Sequence, residues 1–206
     1  MNTKEREPKA AIPEQISHEA VFSIELPGPE SDNFIMKALA KILFVMLAGA
    51  TGMGSSPASI VISSPAFSSG GKIPQKYTCD GSNVNPPLQI KGVPETAKSL
   101  ALIMDDPDAP GGVWVHWLVW NVDPKTTEFS EKSVPRDASQ GTTDFGDAKY
   151  GGPCPPSGTH RYFFKVYALD TTLALSGTSK KAALENAMSG HILAEGSLMG
   201  TYSRNK

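Results

Sequence analysis

Residues 100–122 read LALIMDDPDAPGGVWVHWLVWNV, and this stretch decides the fold. Leu100–Met104 is a continuous apolar run of strand length, suited to burial on both faces. Val113–Val122 is rich in β-branched and aromatic side chains, again the signature of a strand. Pro107 and Pro110 fix their own backbone angles and push the residues before them out of the helical region. The acidic segment between the two runs therefore reads as a stiff turn and not as a helix.

Working outward, Arg161–Leu169 (RYFFKVYAL) is a third strand, with Ala58–Ser63 and Leu88–Ile90 as shorter ones. Turn clusters separate them at Cys79–Asn83, Asn85–Pro87, Asp105–Gly112 and Gly151–Gly158. The helical signal comes late, at Ser179–Met188, with Ser179 as N-cap and Gly190 as stop. His191–Arg204 is expected to form a short helix or turn followed by a final strand. Strands divided by long Pro/Gly loops, without βαβ alternation, predict a mainly β domain, an antiparallel β-sandwich-like fold with few peripheral helices. The composition agrees: 39% hydrophobic and 19% charged residues allow a real core, while Gly 19 and Pro 17 favour turns over a helical bundle.

The 206 residues carry a net charge of -2, distributed unevenly. Residues 1–35 hold three Lys/Arg against seven Asp/Glu, whereas from Ser59 onward each sign occurs fourteen times. A near-neutral domain gives no reason to expect a nucleic-acid partner. Residues 36–50 (MKALAKILFVMLAGA) place Lys37 and Lys41 before an apolar run, Ile42–Ala50, that ends in small residues. This is the layout of a secretory signal, and the run is short for a membrane span. Cleavage is expected at Ala48-Gly49-Ala50 or at Ser56-Pro57-Ala58. The domain plan is thus a non-native or disordered extension over 1–35, a signal peptide and linker over 36–58 starting near Met36, and a folded domain over 59–206, periplasmic or secreted, with no stable membrane span in its mature form. Cys79 and Cys154 lie beyond the signal; an even count in an exported chain permits one disulfide, two free buried thiols being the other option.

Three clusters could carry chemistry. Asp105-Asp106-Pro107-Asp108-Ala109-Pro110 aims carboxylates from a rigid turn. In Trp114-Val115-His116-Trp117, strand alternation puts Trp114 and His116 on one face, with Val115 and Trp117 on the other. Tyr150 to Tyr162 (YGGPCPPSGTHRY) is a Gly-rich loop whose N–H groups could form an anion nest. It runs into His160 and Tyr162 on one strand face and Arg161 on the other, the guanidinium needing a carboxylate of the Asp cluster once buried. Neither a nucleophile elbow nor a phosphate-binding P-loop is present. A metal set of Asp106, Asp108, His116 and His160 has the right ligand types but lacks tight ligand spacing.

Taken in order, these clusters resemble the phosphatidylethanolamine-binding protein family, also called the Raf kinase inhibitor protein family, in its bacterial and archaeal branch. The carrying residues are Cys79-Asp80-Gly81-Ser82-Asn83 with Pro86-Pro87, Asp106-Pro107-Asp108-Ala109-Pro110, Trp114-Val115-His116-Trp117, Gly151-Gly152-Pro153-Cys154-Pro155-Pro156 with His160-Arg161-Tyr162, and Gly190-His191 to Tyr202-Ser203-Arg204. They span about Ile60 to Arg204. The resemblance implies a large central antiparallel sheet, a smaller sheet and a pocket for phosphate-like anions. Asp106, Asp108, Trp114, His116, Gly152, His160 and Tyr162 would line that pocket, the aspartates orienting the histidines because a carboxylate facing the anion would repel it. Only one His stands in Trp114-Val115-His116, where animal members carry two, and the Pro110–Trp114 loop is short, so the rim differs. Cys79 and Cys154 flank pocket loops, where a disulfide would hold the rim. The expected function is non-catalytic, cofactor-free binding of a small anion or phospholipid headgroup. The alternative is a protein inhibitor of a serine protease or signalling enzyme, acting through Gly151–Gly158. An Asp/His hydrolase or metal enzyme stands third.

Overall fold

The computed structural model describes residues 58–204. The N-terminal extension and the signal-like segment up to residue 57 lie outside the described residues. In chain order the elements are β1 (Ala58–Ser59), β2 (Val61–Ser63), β3 (Leu88–Lys91), β4 (Ser99–Asp106), β5 (Trp114–Val122), β6 (Glu128–Phe129), β7 (Ser139–Gln140), β8 (Thr159–Leu169), α1 (Lys181–Met188) and β9 (Ile192–Ser203). The large sheet has the order β1-β9-β8-β4-β5-β7 and the small one β2-β3-β6. Pairing is antiparallel except between β1 and β9, which run parallel.

Every residue of β4 is buried, which is why its sequence shows no polar alternation. Its even-numbered residues Leu100, Leu102 and Met104 face the small sheet, where Ile90, Trp117, Phe129 and Phe164 complete a core. Ala101 and Ile103 face the other way, toward Leu118, Trp120, Leu184 and Met188, the last two supplied by α1. The central sheet is thus sandwiched between the small sheet and one short helix.

In β5 the alternation expected from sequence breaks. Met104 pairs with Trp117 but Asp105 pairs with Val115, leaving His116 as an extra residue in a bulge. Val115 faces α1's side, as expected, but Trp117 does not join it: it lies in the core between the sheets. A bulge depends on the partner strand's register, so β5 alone cannot reveal it.

Two other expectations need correction. The helix begins at Lys181 after Lys180, with no side-chain cap bond. Ser179 sits in the preceding turn, its N–H donating to Ser176 and its carbonyl accepting from Thr142. The C-terminal segment holds no helix from Ile192 to Ser203; it is one 12-residue strand paired along β8. Gly196 and Gly200 lower its strand propensity, yet both are required by close contact. A Cβ on Gly196 would strike the Ile60 carbonyl, and one on Gly200 the Ile73 and Phe67 side chains.

Asp105 is the buried charge of the α1 side. Its Oδ2 accepts from Lys165 of β8 at 2.8 Å and Lys181 of α1 at 2.7 Å, with the carboxylate side chain 2% exposed. One acceptor thereby ties two strands and the helix, and leaves neither charge unpaired. Cys79 and Cys154, 75 residues apart in sequence, are joined by a disulfide with Cα atoms 5.4 Å apart. Beside it the Cys79 N–H donates to the Pro153 carbonyl at 3.1 Å, so the 75–83 segment and the Gly-rich loop are fastened to each other.

Asp105→Asn should cost about 2–3 kcal/mol in urea denaturation, since it removes the one negative charge against which two lysines are held. Thiol counting on denatured, unreduced protein should find no free thiol, and the Cys79→Ser, Cys154→Ser double variant should lose about 2–4 kcal/mol.

Candidate functional site

The site grows from the end of β4, where alternation turns Asp106 to the side opposite Asp105. Asp106 Oδ2 accepts from His160 Nδ1 at 2.8 Å, and Oδ1 accepts from the Asp108 N–H at 2.8 Å. Both oxygens are therefore occupied, and the carboxylate orients His160 without facing outward. Pro107 helps, because a residue without an N–H lets the turn close onto the next donor.

At the head of β8, His160 and Tyr162 are buried on this face and Arg161 is exposed on the other, as alternation predicts. Arg161 takes Asp108 in a fork: Nε to Oδ2 at 2.9 Å and Nη2 to Oδ1 at 2.7 Å, with its N–H also on Oδ2. The partner is the expected one, but the guanidinium is not buried; its side chain is 53% exposed. These bonds pull the Asp108 carboxyl down to about 2. Asp108 is therefore committed to Arg161 and makes no hydrogen bond to a histidine, so only Asp106 fills the orienting role.

His116, the extra residue of the β5 bulge, comes to the same place. Its Nδ1 lies 2.7 Å from the Gly151 carbonyl, and its ring meets the rings of Tyr162 at 5.1 Å and Phe145 at 5.2 Å edge to face. Burial pushes its pKa below the usual histidine value, opposed in part by the Gly151 carbonyl and by Asp106. Tyr162 is fully buried, and its hydroxyl lies near the Asp106 carboxylate and the Cys154 N–H without a well-formed hydrogen bond to either. Burial first, and the neighbouring Asp106 carboxylate next, hold that hydroxyl well above the normal tyrosine range.

The glycine pair does not form the open nest expected of it. The Gly151 N–H donates to the His116 carbonyl at 2.9 Å and the Gly152 N–H to Asn83 Oδ1 at 2.7 Å. Gly152 is a wall residue, pressed so closely on the Tyr77 carbonyl that a Cβ would not fit. The loop is buried from Gly151 to Pro153, clamped by the disulfide at Cys154, and exposed from Pro156 to Gly158. Trp114 stands at the rim, 38% exposed. Among the described residues no group of three or more His, Cys, Asp and Glu is arranged to hold a metal ion.

Three residues take places in the site that the sequence did not assign them. Phe145 packs edge-on to Trp114 at 5.5 Å and to His116, over Gly151, in a loop hung on Val115 by Asp144. Asn83, which takes the Gly152 N–H, has φ 54, a backbone state that Asn tolerates and that hints at a special role. Tyr150 donates its hydroxyl to the Tyr77 carbonyl at 2.8 Å. Beside the glycine pair a cavity of about 200 Å³ opens between Asn83, Phe145, Lys149 and Tyr150.

Comparison with known proteins agrees with this architecture. The family model described as phosphatidylethanolamine-binding protein matches residues 63–203. A UPF0098 protein of Methanothermobacter thermautotrophicus is 54% identical over 145 residues, covering 68% of this chain and 95% of its own length. One from Pyrococcus horikoshii is 45% identical over 184 residues, covering 82% and 91% respectively. Among solved structures, a phosphatidylethanolamine-binding protein homologue from Chlamydia trachomatis superposes with a TM-score of 0.69 at 42% identity, covering 72% of this chain and 99% of that one. E. coli YbcL, described as a new member of the mammalian family, gives a TM-score of 0.68 at 32% identity over 72% of this chain and 100% of its own. Two sheets in this order, the Asp106–His160 pair and the Cys-containing Gly/Pro loop are thus carried by a chain that belongs to the phosphatidylethanolamine-binding protein family.

Proposed function

We propose that the chain is a non-catalytic binding protein for a small anion, a phosphate-like group either free or as a phospholipid headgroup, held between β5 and β8. One observation carries the reading. Both imidazoles are tied back through Nδ1, to Asp106 and to Gly151, and their Nε2 atoms are left without partners beside the unpartnered Tyr162 hydroxyl. A buried hydroxyl without a partner is rare in a folded protein and is explained by a ligand that accepts from it. His160, when protonated, adds a second donor, and fixed donors in a water-poor site bind an anion strongly. Among the described residues no serine or cysteine hydrogen-bonds to either histidine, which supports binding over nucleophilic catalysis.

Export to the periplasm or beyond is part of this proposal. It is supported by the basic, apolar, small-residue order of residues 36–58 and by a disulfide, which persists in oxidising compartments. Of the two cleavage sites, the one after Ala50 is favoured, because Ala58 is paired with Ala194 in β1.

Titration of the protein with inorganic phosphate, followed through the imidazole signals, should move His116 and His160 together and saturate. Absence of saturable binding at millimolar phosphate would overturn the reading. Tyr162→Phe should weaken phosphate binding about tenfold while changing stability by under about 0.5 kcal/mol, since the hydroxyl it removes makes no well-formed hydrogen bond in the free protein. N-terminal sequencing of the native protein from cell fractions should find a start just after Ala50, in the periplasm or medium; full-length chain in the cytoplasm would refute export.

A further inference from the structure

We propose that the pocket selects an oxyanion that still carries a proton, a monoprotonated phosphomonoester, because His116 meets the ligand with a lone pair and not with a hydrogen. The inference rests on the anion-binding reading above and adds to it the protonation state of the group bound.

A backbone carbonyl can only accept, so the 2.7 Å contact to Gly151 requires the hydrogen of His116 to sit on Nδ1. In the neutral ring Nε2 is then an acceptor. A second proton finds little support there. The ring is 3% exposed and is edged by Tyr162 of β8 and Phe145 of the loop before the glycines. The titratable groups on its own side of the sheet are Asp106 of β4 and Tyr162 of β8, with His160 following on the same face of β8, whereas Asp105, on the opposite side of β4, acts on it only through its field. Neither carboxylate bonds to the ring. Asp106 is taken by His160 and the Asp108 N–H, and Asp105 by Lys165 and Lys181.

The pocket therefore offers donors from the β8 side, Tyr162 and protonated His160, and one fixed acceptor from the β5 bulge. An anion with both acceptor oxygens and an O–H satisfies all of them. Sulfate and a phosphodiester have no hydrogen to give, and would set an oxygen lone pair against the lone pair of Nε2. A buried polar group left unmatched in this way discriminates by about tenfold or more.

Calorimetric titration with methyl phosphate, dimethyl phosphate and sulfate separates proton from charge. A phosphomonoester loses its second proton near about pH 6. At about pH 5.5, methyl phosphate should bind at least about tenfold more tightly than dimethyl phosphate, also a monoanion, and than sulfate. Raising the pH by about two units should remove most of the advantage over sulfate, whose own curve reports any pH effect common to every anion. His116→Gln, whose amide can donate as well as accept, should bring sulfate to within about threefold of methyl phosphate. A variant that fails to fold leaves a direct measurement: the imidazole nitrogen shifts of His116 in the unliganded protein should show a bare Nε2. Sulfate or dimethyl phosphate binding as tightly as methyl phosphate at about pH 5.5, or a protonated Nε2, would overturn the proposal and leave the anion site standing. If none of the three anions binds, the anion-binding reading falls, and this inference with it.

Discussion

Two adjacent carboxylates at the end of a strand buried on both faces are the constraint around which the domain is arranged. Asp105 and Asp106 point to opposite sides of β4, and neither side offers water. Each must find cations or donors within its own layer. On the helix side the answer is Lys165 and Lys181, which fixes where α1 lies against β8. On the other side it is His160 and the turn N–H of Asp108, which fixes the imidazole and the start of the Pro-bracketed loop. β8 supplies partners to both faces because its own alternation sends His160 one way and Lys165 the other.

The pocket then depends on a departure from regular pairing. Without the extra residue in β5, His116 could not share a side with both Trp114 and Trp117, and Trp117 would be turned out of the core between the sheets. Three separate ties hold the opposite wall: the disulfide, the Asn83–Gly152 bond and the Tyr150–Tyr77 bond. All three join the Gly-rich loop to residues 77–83, far away in sequence. The buried half of the loop is therefore fastened at several points to a segment distant in sequence.

What the sequence made legible were features with local causes. β4, β5 and β8 announce themselves by unbroken apolar or aromatic runs, and His160, Arg161 and Tyr162 fall on the faces that alternation assigns them. The pairing of Arg161 with an aspartate of the turn follows from charge alone. What stayed hidden had causes elsewhere in the chain. The bulge at His116 is a relation between two strands. The Gly152 N–H is spent on a side chain 69 residues away, so a loop that reads as an anion nest is in fact a braced wall. Phe145 gives no pattern, since its place over Gly151 is set by a turn that Thr143 and Asp147 close on themselves. β6 and β7, two residues each, are too short for any periodicity to show.

The register of β9 separates the two ends of the domain. Ala58 joins the sheet opposite Ala194, while Tyr202 lies opposite His160. Those rungs are eight residue steps apart along β9, roughly 26 Å at the usual rise. Anything attached ahead of β1 therefore enters far from the pocket, whereas anything attached behind Ser203 leaves beside it. A label on the first strand would therefore be joined to the sheet at the rung far from His160, and one behind the last strand at the rung beside it.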